Sequence, residues 1–221
     1  MATALPKQNT MDFKAMAIQA QQLKDNNGNA VDMTDLIAGS ITTSSAAVVG
    51  APNGATVAAS STVSNGLVKT VLTLTATPIT IAGGASGVGE GGVKIFDMPE
   101  GQILLLGGGA SLTVNEADAN IDDDALVTLG VGTAVVAGGD DALGTDATDD
   151  DILNGADFQL AASTATGGLI SNSSVAKFDG TGTAIDIYMN ASVADADIDD
   201  DAAALTITGT ITLYWMLLGD D

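Results

Sequence analysis

The chain has no cysteine, no histidine and no arginine, and its six basic residues are all lysine. Without cysteine there is no disulfide framework and no thiolate nucleophile. Without histidine the Ser-His-Asp and Cys-His arrangements cannot be assembled. The missing arginine removes the planar fork that grips phosphate or carboxylate with two parallel hydrogen bonds. Aromatic residues make up 3% of the chain, with one Trp and two Tyr. A sugar-cleaving site built on paired carboxylates would therefore have few rings on which to stack its substrate. Against six lysines stand 28 acids, a net charge of −22; such a surface repels nucleic acid and anionic membranes alike. No apolar run approaches the roughly 18 residues needed to cross a bilayer. The N-terminal "MATALPKQNTMDFKAMAIQAQQ" also lacks the continuous apolar core of a secretory signal. The expectation is a non-enzymatic chain, with neither nucleic acid nor membrane as partner, that begins in the cytoplasm of the cell that makes it.

What is present is a composition that folds. Hydrophobic residues make up 46% of 221 residues, more than a disordered chain of this charge carries, and the length suffices for one buried domain with an appendage or at most two small domains. The apolar content is mainly Ala, Val, Leu and Ile, and with abundant Thr it favours strands. The high acid content keeps such a body soluble and unassociated in salty surroundings.

The organisation divides at about residue 30. In residues 1–30, Phe13, Met16, Ala17, Ala20 and Leu23 recur at helical spacing, which predicts a short amphipathic helix over Met11–Lys24. Thr10 can cap it and "DNNGN" stops it. Lys7, Lys14 and Lys24, half of all the bases, lie here, so a locally basic helix precedes an acidic body, either folded back on its own domain or docking as an arm on a neighbouring subunit. Residues 31–221 carry strand and turn signals, with no helices between them. Strands are expected at Leu67–Ile81 with a break at Pro78, up to Phe96, at Gln102–Leu106, Ser111–Asn115, Leu126–Val136, Asp157–Ala161 and Ala184–Asn190. A tight turn is expected at Asp97–Gly101. In "LTITGTITLYW" one face carries Leu205, Ile207, Ile211, Leu213 and Trp215 and the other Thr206, Thr208, Thr210, Thr212 and Tyr214, the alternation of a half-buried strand. The fold class that follows is all-β, an antiparallel β-sandwich or jelly roll with an N-terminal helical arm. The acidic loop Ala137–Gly155 is expected at an end or rim, and Gly39–Asn65 as a polar linker or weak edge strands.

Two motifs invite chemistry. "GVGEGG" at Gly87–Gly92 matches the spacing of a dinucleotide fingerprint, but that loop must open a helix, and "VKIFD" reads as a strand. "ADANIDDDA" at Ala117–Ala125 and "ADADIDDDA" at Ala194–Ala202 differ only in Asn120 against Asp197. Asp195, Asp197 and Asp199 stand at the first, third and fifth positions of a calcium loop. However, Asp200 replaces the required glycine and Thr206 the bidentate glutamate. A weak surface calcium site is the chemical reading. The structural reading is a pair of equivalent acidic strand connections with Ile121 and Ile198 turned inward.

With these residues assembled, the chain resembles small structural proteins of tailed bacteriophages, many from marine hosts. The resemblance is carried by "KTVLTLTATPITI", "GGVKIFDMPEGQILLLGGGASLTV", "ALGTDATDDDIL", "FDGTGTAIDIYMNASVADADIDDDA" and "LTITGTITLYWMLLGDD", and covers most of Lys69 to Asp221. It implies a capsid decoration or cement protein, assembled in the host cytoplasm and held on the virion's capsid surface. The partner would be the major capsid protein, and the chain a homo-oligomer with a trimer favoured. No catalytic residue and no cofactor come with the resemblance. Lys7, Phe13, Lys14 and Lys24 are then the expected arm contacts, and Trp215 belongs in the core or a subunit interface. The alternative is a tail- or fibre-associated virion protein or a calcium-stabilised adhesin.

Overall fold

A computed structural model describes residues 49–64, 66–83, 87–136, 143, 148–161, 163–170, 176–198 and 202–219. The expected helical arm, with Lys7, Phe13, Lys14 and Lys24, lies outside the described residues. The body is built from β1 (Ala51–Pro52), β2 (Val57–Ser64), β3 (Leu67–Ala82), β4 (Val88–Asp97), β5 (Gly101–Glu116), β6 (Leu126–Gly132), β7 (Leu153–Gln159), β8 (Thr164–Ile170), β9 (Ala176–Gly180), β10 (Asp186–Ala194) and β11 (Ala202–Gly219).

Eight strands form two antiparallel layers, β3-β11-β5-β8 and β4-β10-β6-β7, joined where Ala82 pairs with Glu90. β2 extends the first layer beside β3, β9 pairs with the start of β5, and β1 adds to β4. Among these eight, every connection except β6–β7 passes from one layer to the other, which is the jelly roll. Each layer has one apolar face, and burying both faces against each other gives a single core. Leu72, Ile103, Leu112, Ile211, Leu213 and Trp215 from the first layer belong to one buried cluster with Phe96, Val127, Leu129, Leu153, Ile187 and Met189 from the second. The alternation read in β11 holds: Leu205, Ile207, Ile211, Leu213 and Trp215 are fully buried, and the Thr face is not. Trp215 also places its one polar atom: Nε1 donates to Thr70 Oγ1 at 3.1 Å, and Thr70 Oγ1 lies 2.9 Å from Ser61 Oγ. A hydrogen-bonded line thus runs across β11, β3 and β2.

Several local expectations are corrected. β3 runs unbroken through Pro78; its irregularity is two residues earlier, where Ala76 has φ +47° and β11 shifts register between Ile207 and Gly209. β2 pairs with β3 only as far as Leu74, so beyond it that edge of β3 has no β2 ladder for a missing N–H to interrupt. The residues of the turn at 97–101 do connect β4 to β5, but these strands do not pair with each other. β4 bonds to β10 and β5 to β11, so the turn carries the chain between layers. Gln102–Leu106 and Ser111–Asn115 are parts of one strand, continuous through three glycines, because β11 pairs along its length. Pairing with β5 likewise makes strands of the small-residue stretches β8 and β9, which periodicity does not mark. The Gly87–Gly92 motif lies almost wholly in β4, and Val57–Ser64 is an edge strand.

The acidic loop between β6 and β7 is the largest departure. Its described residues lie across the outer face of the β4-β10-β6-β7 layer instead of at an end. Asn190 points to that face yet is fully buried. Its Nδ2 donates to Ala134 O at 2.8 Å and Asp149 O at 2.7 Å, and its Oδ1 accepts from Val136 N at 3.1 Å. One side chain therefore holds both limbs of the loop. Close approach is possible because the strands underneath present glycine. A Cβ on Gly132 would lie 2.3 Å from Thr148 O, and one on Gly92 would lie 2.8 Å from Val135 Cγ2.

The base of the same loop is closed by Asp151, whose two carboxylate oxygens each accept at 2.8 Å from Thr133 N and Oγ1. Burial raises the Asp151 pKa above its ordinary value of 3.8, an effect the Thr133 hydrogen bonds only partly offset. A raised folded-state pKa means that the folded chain binds the proton more tightly than the unfolded one. This stabilisation is full below the ordinary value and is lost as pH rises through the folded one. The stability of the wild type relative to Asp151→Asn should therefore fall as pH rises through that window. Urea midpoints of both proteins on either side of the window test this; a pH-independent difference would refute the assignment.

Candidate functional site

The two near-identical nonapeptides occupy the β5–β6 and β10–β11 connections, and both connections cross between layers at the same end of the body. They are also hydrogen-bonded to each other. Ile121 and Ile198 form an antiparallel bridge, and Asp122 N donates to Asp197 O at 3.0 Å. Ile121 is buried, while Ile198 is partly buried against the core. Ile121 anchors its loop and leaves the flanking carboxylates of Asp118, Asp122, Asp123 and Asp124 exposed. The structural reading of the repeat holds: it marks two equivalent corners, paired about their isoleucines.

The single difference between the copies has a physical reason. Asn120 Nδ2 donates to Ala202 O at 3.1 Å, next to the bond from Ala117 N to Ala204 O at 2.8 Å. A carboxylate cannot make that donation and would face a carbonyl oxygen instead. Asn120→Asp should cost about 1–2 kcal/mol, with the larger loss at low salt because it adds like charge to an acidic end. Thermal or urea unfolding at two salt concentrations measures it, and an unchanged midpoint would contradict the role given to the amide.

Further bonds fix the corner to the β7–β8 connection. Glu116 N donates to Ser163 O at 3.0 Å, and Ser163 Oγ donates to Asp123 Oδ1 at 2.5 Å. Gln159 Nε2 donates to Asp124 O. Glu116, Asp118, Asp122, Asp123 and Ser163 line an open depression of ≈ 480 Å³. Of the candidate calcium ligands, Asp195 and Asp197 lie in a single 3₁₀ turn, whereas Asp199 falls outside the described residues. Among the described residues no three acidic side chains converge as a metal ion would require.

A second polar cluster, which periodicity does not reveal, sits at the opposite end of β4 and β10. The Lys94 ammonium pairs with Asp97 and, at 2.8 Å, with Asp186. Tyr188 OH donates to Asp186 Oδ2 at 3.2 Å, and Asn53 Nδ2 donates to Asp97 Oδ2 at 3.3 Å. Hydrogen bonds to Asp186 and Asp97 hold Lys94 well above the ordinary lysine range. Burial pushes Asp186 up, but the bonds from Lys94 and its other neighbours outweigh this and leave it below the usual carboxylate value. Burial, and then the Asp186 charge, raise Tyr188. The Lys94 ammonium pairs with Asp97 on its own strand and with Asp186 on β10, so the cluster is an ionic tie between β4 and β10. Beside it Asp179, Thr181, Thr183, Asp186 and Tyr188 line an open groove of ≈ 740 Å³. Its only signal in the sequence is a lone lysine in a strand otherwise flanked by acids.

No family profile and no curated protein matches the chain. Among solved structures, an arabinose-bound α-L-arabinofuranosidase aligns with 78% of this chain at 12% identity and a TM-score of 0.32. The chain spans 24% of that enzyme's length.

Proposed function

We propose that the chain is a non-enzymatic bacteriophage capsid decoration protein. It seats on the outside of the major capsid lattice, stabilises it, and acts there as a homo-oligomer, most simply a trimer. The observation that supports this best is how the acidic connections are used. The twin corners pair with each other, and the described residues of the β6–β7 loop are tied to their own sheet, so these acidic connections are held against one core. That is the body a cement protein needs, and the basic arm of residues 1–30 supplies the grip on a neighbour. Deleting Met1–Lys24 should abolish binding to capsids while the β body keeps its unfolding midpoint. A truncated chain that still decorates capsids would sink the arm's role. Cryo-electron microscopy of virions tests the whole reading by showing whether the chain lies outside the major lattice.

The competing reading is a tail- or fibre-associated module or a calcium-stabilised adhesin, and the gathering of acids at the twin corner is what favours it. Calcium that binds only the folded state raises the melting temperature by mass action. A chelator-sensitive shift would move the assignment to that class.

A further inference from the structure

Among the described residues, one face of this acidic body combines partly exposed apolar side chains with both of the exposed lysines. It is the outer side of β3, β11 and β5, at the end away from the twin corner. Cross-strand register places Leu67, Met216, Leu104 and Lys177 in one row, and Lys69, Tyr214 and Gly107 in the next. Leu106 adjoins the second row at a bulge where β5 shifts register against β11. These residues alternate with the buried Val68, Leu105 and Trp215, so they point outward. Leu106 is 41% exposed and Tyr214 40%, large values for apolar side chains at adjacent positions on a sheet. The bases are placed as unevenly. Of the three lysines in the described residues, Lys94 is held by Asp97 and Asp186. The other two, Lys69 and Lys177, are exposed and flank this face. The nearest acid along β9, Asp179, accepts hydrogen bonds from Thr181 N and Oγ1.

An apolar patch in which Leu106 and Tyr214 are exposed and Leu67, Leu104 and Met216 half-buried, flanked by lysines on a chain of net charge −22, is complementary to a protein surface that is apolar at its centre and carboxylate at its rim. A second copy meeting it through the same face would set lysine against lysine, and the basic arm of residues 1–30 is no better matched. A copy presenting an acidic face, as in a ring contact, would instead protect both lysines in the free chain. We infer that this face is the body's docking surface for such an acidic-rimmed partner. Resting on the reading above, that partner is the outer surface of the major capsid lattice. The arm and this face would then be separate contacts, one carried by residues 1–30 and the other by the folded body.

Lysine acetylation read by mass spectrometry on the full chain, free in dilute solution and within virions, tests the inference. Lys69 and Lys177 should be modified in the free chain and protected in virions. In binding to virions stripped of the protein, the double variant Lys69→Glu/Lys177→Glu should lose affinity on the order of tenfold. Tyr214→Ser should do likewise; because Tyr214 is only 40% exposed, the unfolding midpoint is measured alongside, and the loss of affinity is read under conditions where the variant is fully folded. Equal modification of both lysines in virions would overturn the docking face while leaving the decoration function standing. Protection already present in the dilute free chain would overturn it too, since residues 1–48 or a second copy would then cover the face. Absence of the chain from virions would remove the decoration reading itself, and the inference with it.

Discussion

Trp215→Ala should lower the unfolding free energy by about 3–5 kcal/mol, the usual cost of removing a large buried aromatic. Trp215 is fully buried in β11, the strand that bonds to β3 on one side and β5 on the other. A cavity there cannot collapse without disturbing the ladders on both sides of β11. Two smaller variants separate packing from hydrogen bonding. Thr70→Val keeps the shape but strips the acceptor from Trp215 Nε1, leaving a buried N–H unsatisfied at a cost of about 1–3 kcal/mol. Ser61→Ala touches only the outer link of the same line and should cost less than Thr70→Val. Urea unfolding followed by tryptophan fluorescence, or by circular dichroism for the alanine variant, ranks them. If Thr70→Val proved as stable as wild type, the Trp215–Thr70 bond would have no part in holding the layer together.

The second large effect is expected at Asn190. Asn190→Ala removes two donors and one acceptor from buried backbone partners. Three orphaned groups, partly rescued by water, should cost roughly 2–4 kcal/mol. Asn190→Asp is nearly isosteric and should be as damaging, because a carboxylate donates to neither Ala134 O nor Asp149 O and brings a charge to a buried site. Gly132→Ala attacks the same interface from below, since its Cβ would meet the backbone of Thr148 and Asp149 at 2.3 Å; the overpacking should cost about 1–3 kcal/mol or lift the loop. Amide exchange discriminates local from global loss. The Val136 amide should exchange faster in all three variants, while amides of β11 should change only by the global difference. If Val136 kept its protection, the loop would be held by something other than this clamp.

These two sites show different degrees of legibility. The β11 face could be read from residue order, because a strand with one side against a core must alternate, and "LTITGTITLYW" does so over eleven residues. The paired corners were half legible. The repeated nonapeptide announces two equivalent connections, and its isoleucines can be assigned inward. That the two connections bond to each other, with Asn120 reaching Ala202, depends on both crossings lying at the same end of the jelly roll. The Asn190 clamp and the Lys94 tie had no periodic signal. Asn190 alternates on β10 as any outward polar residue would, and only the loop folded over it makes it buried.

All-β class, antiparallel pairing and a strongly acidic net charge follow from composition and alternation, because these are properties of each stretch taken by itself. Strand lengths, the strands at β8 and β9, and the passage of β3 through Pro78 do not. They depend on which neighbour supplies the hydrogen bonds, and pairing with β5 or β11 overrides the weak preferences of glycine and proline. The acidic loop illustrates the same limit: its residues favour water, yet its described residues lie on a sheet face because glycines admit their backbone and one asparagine satisfies it.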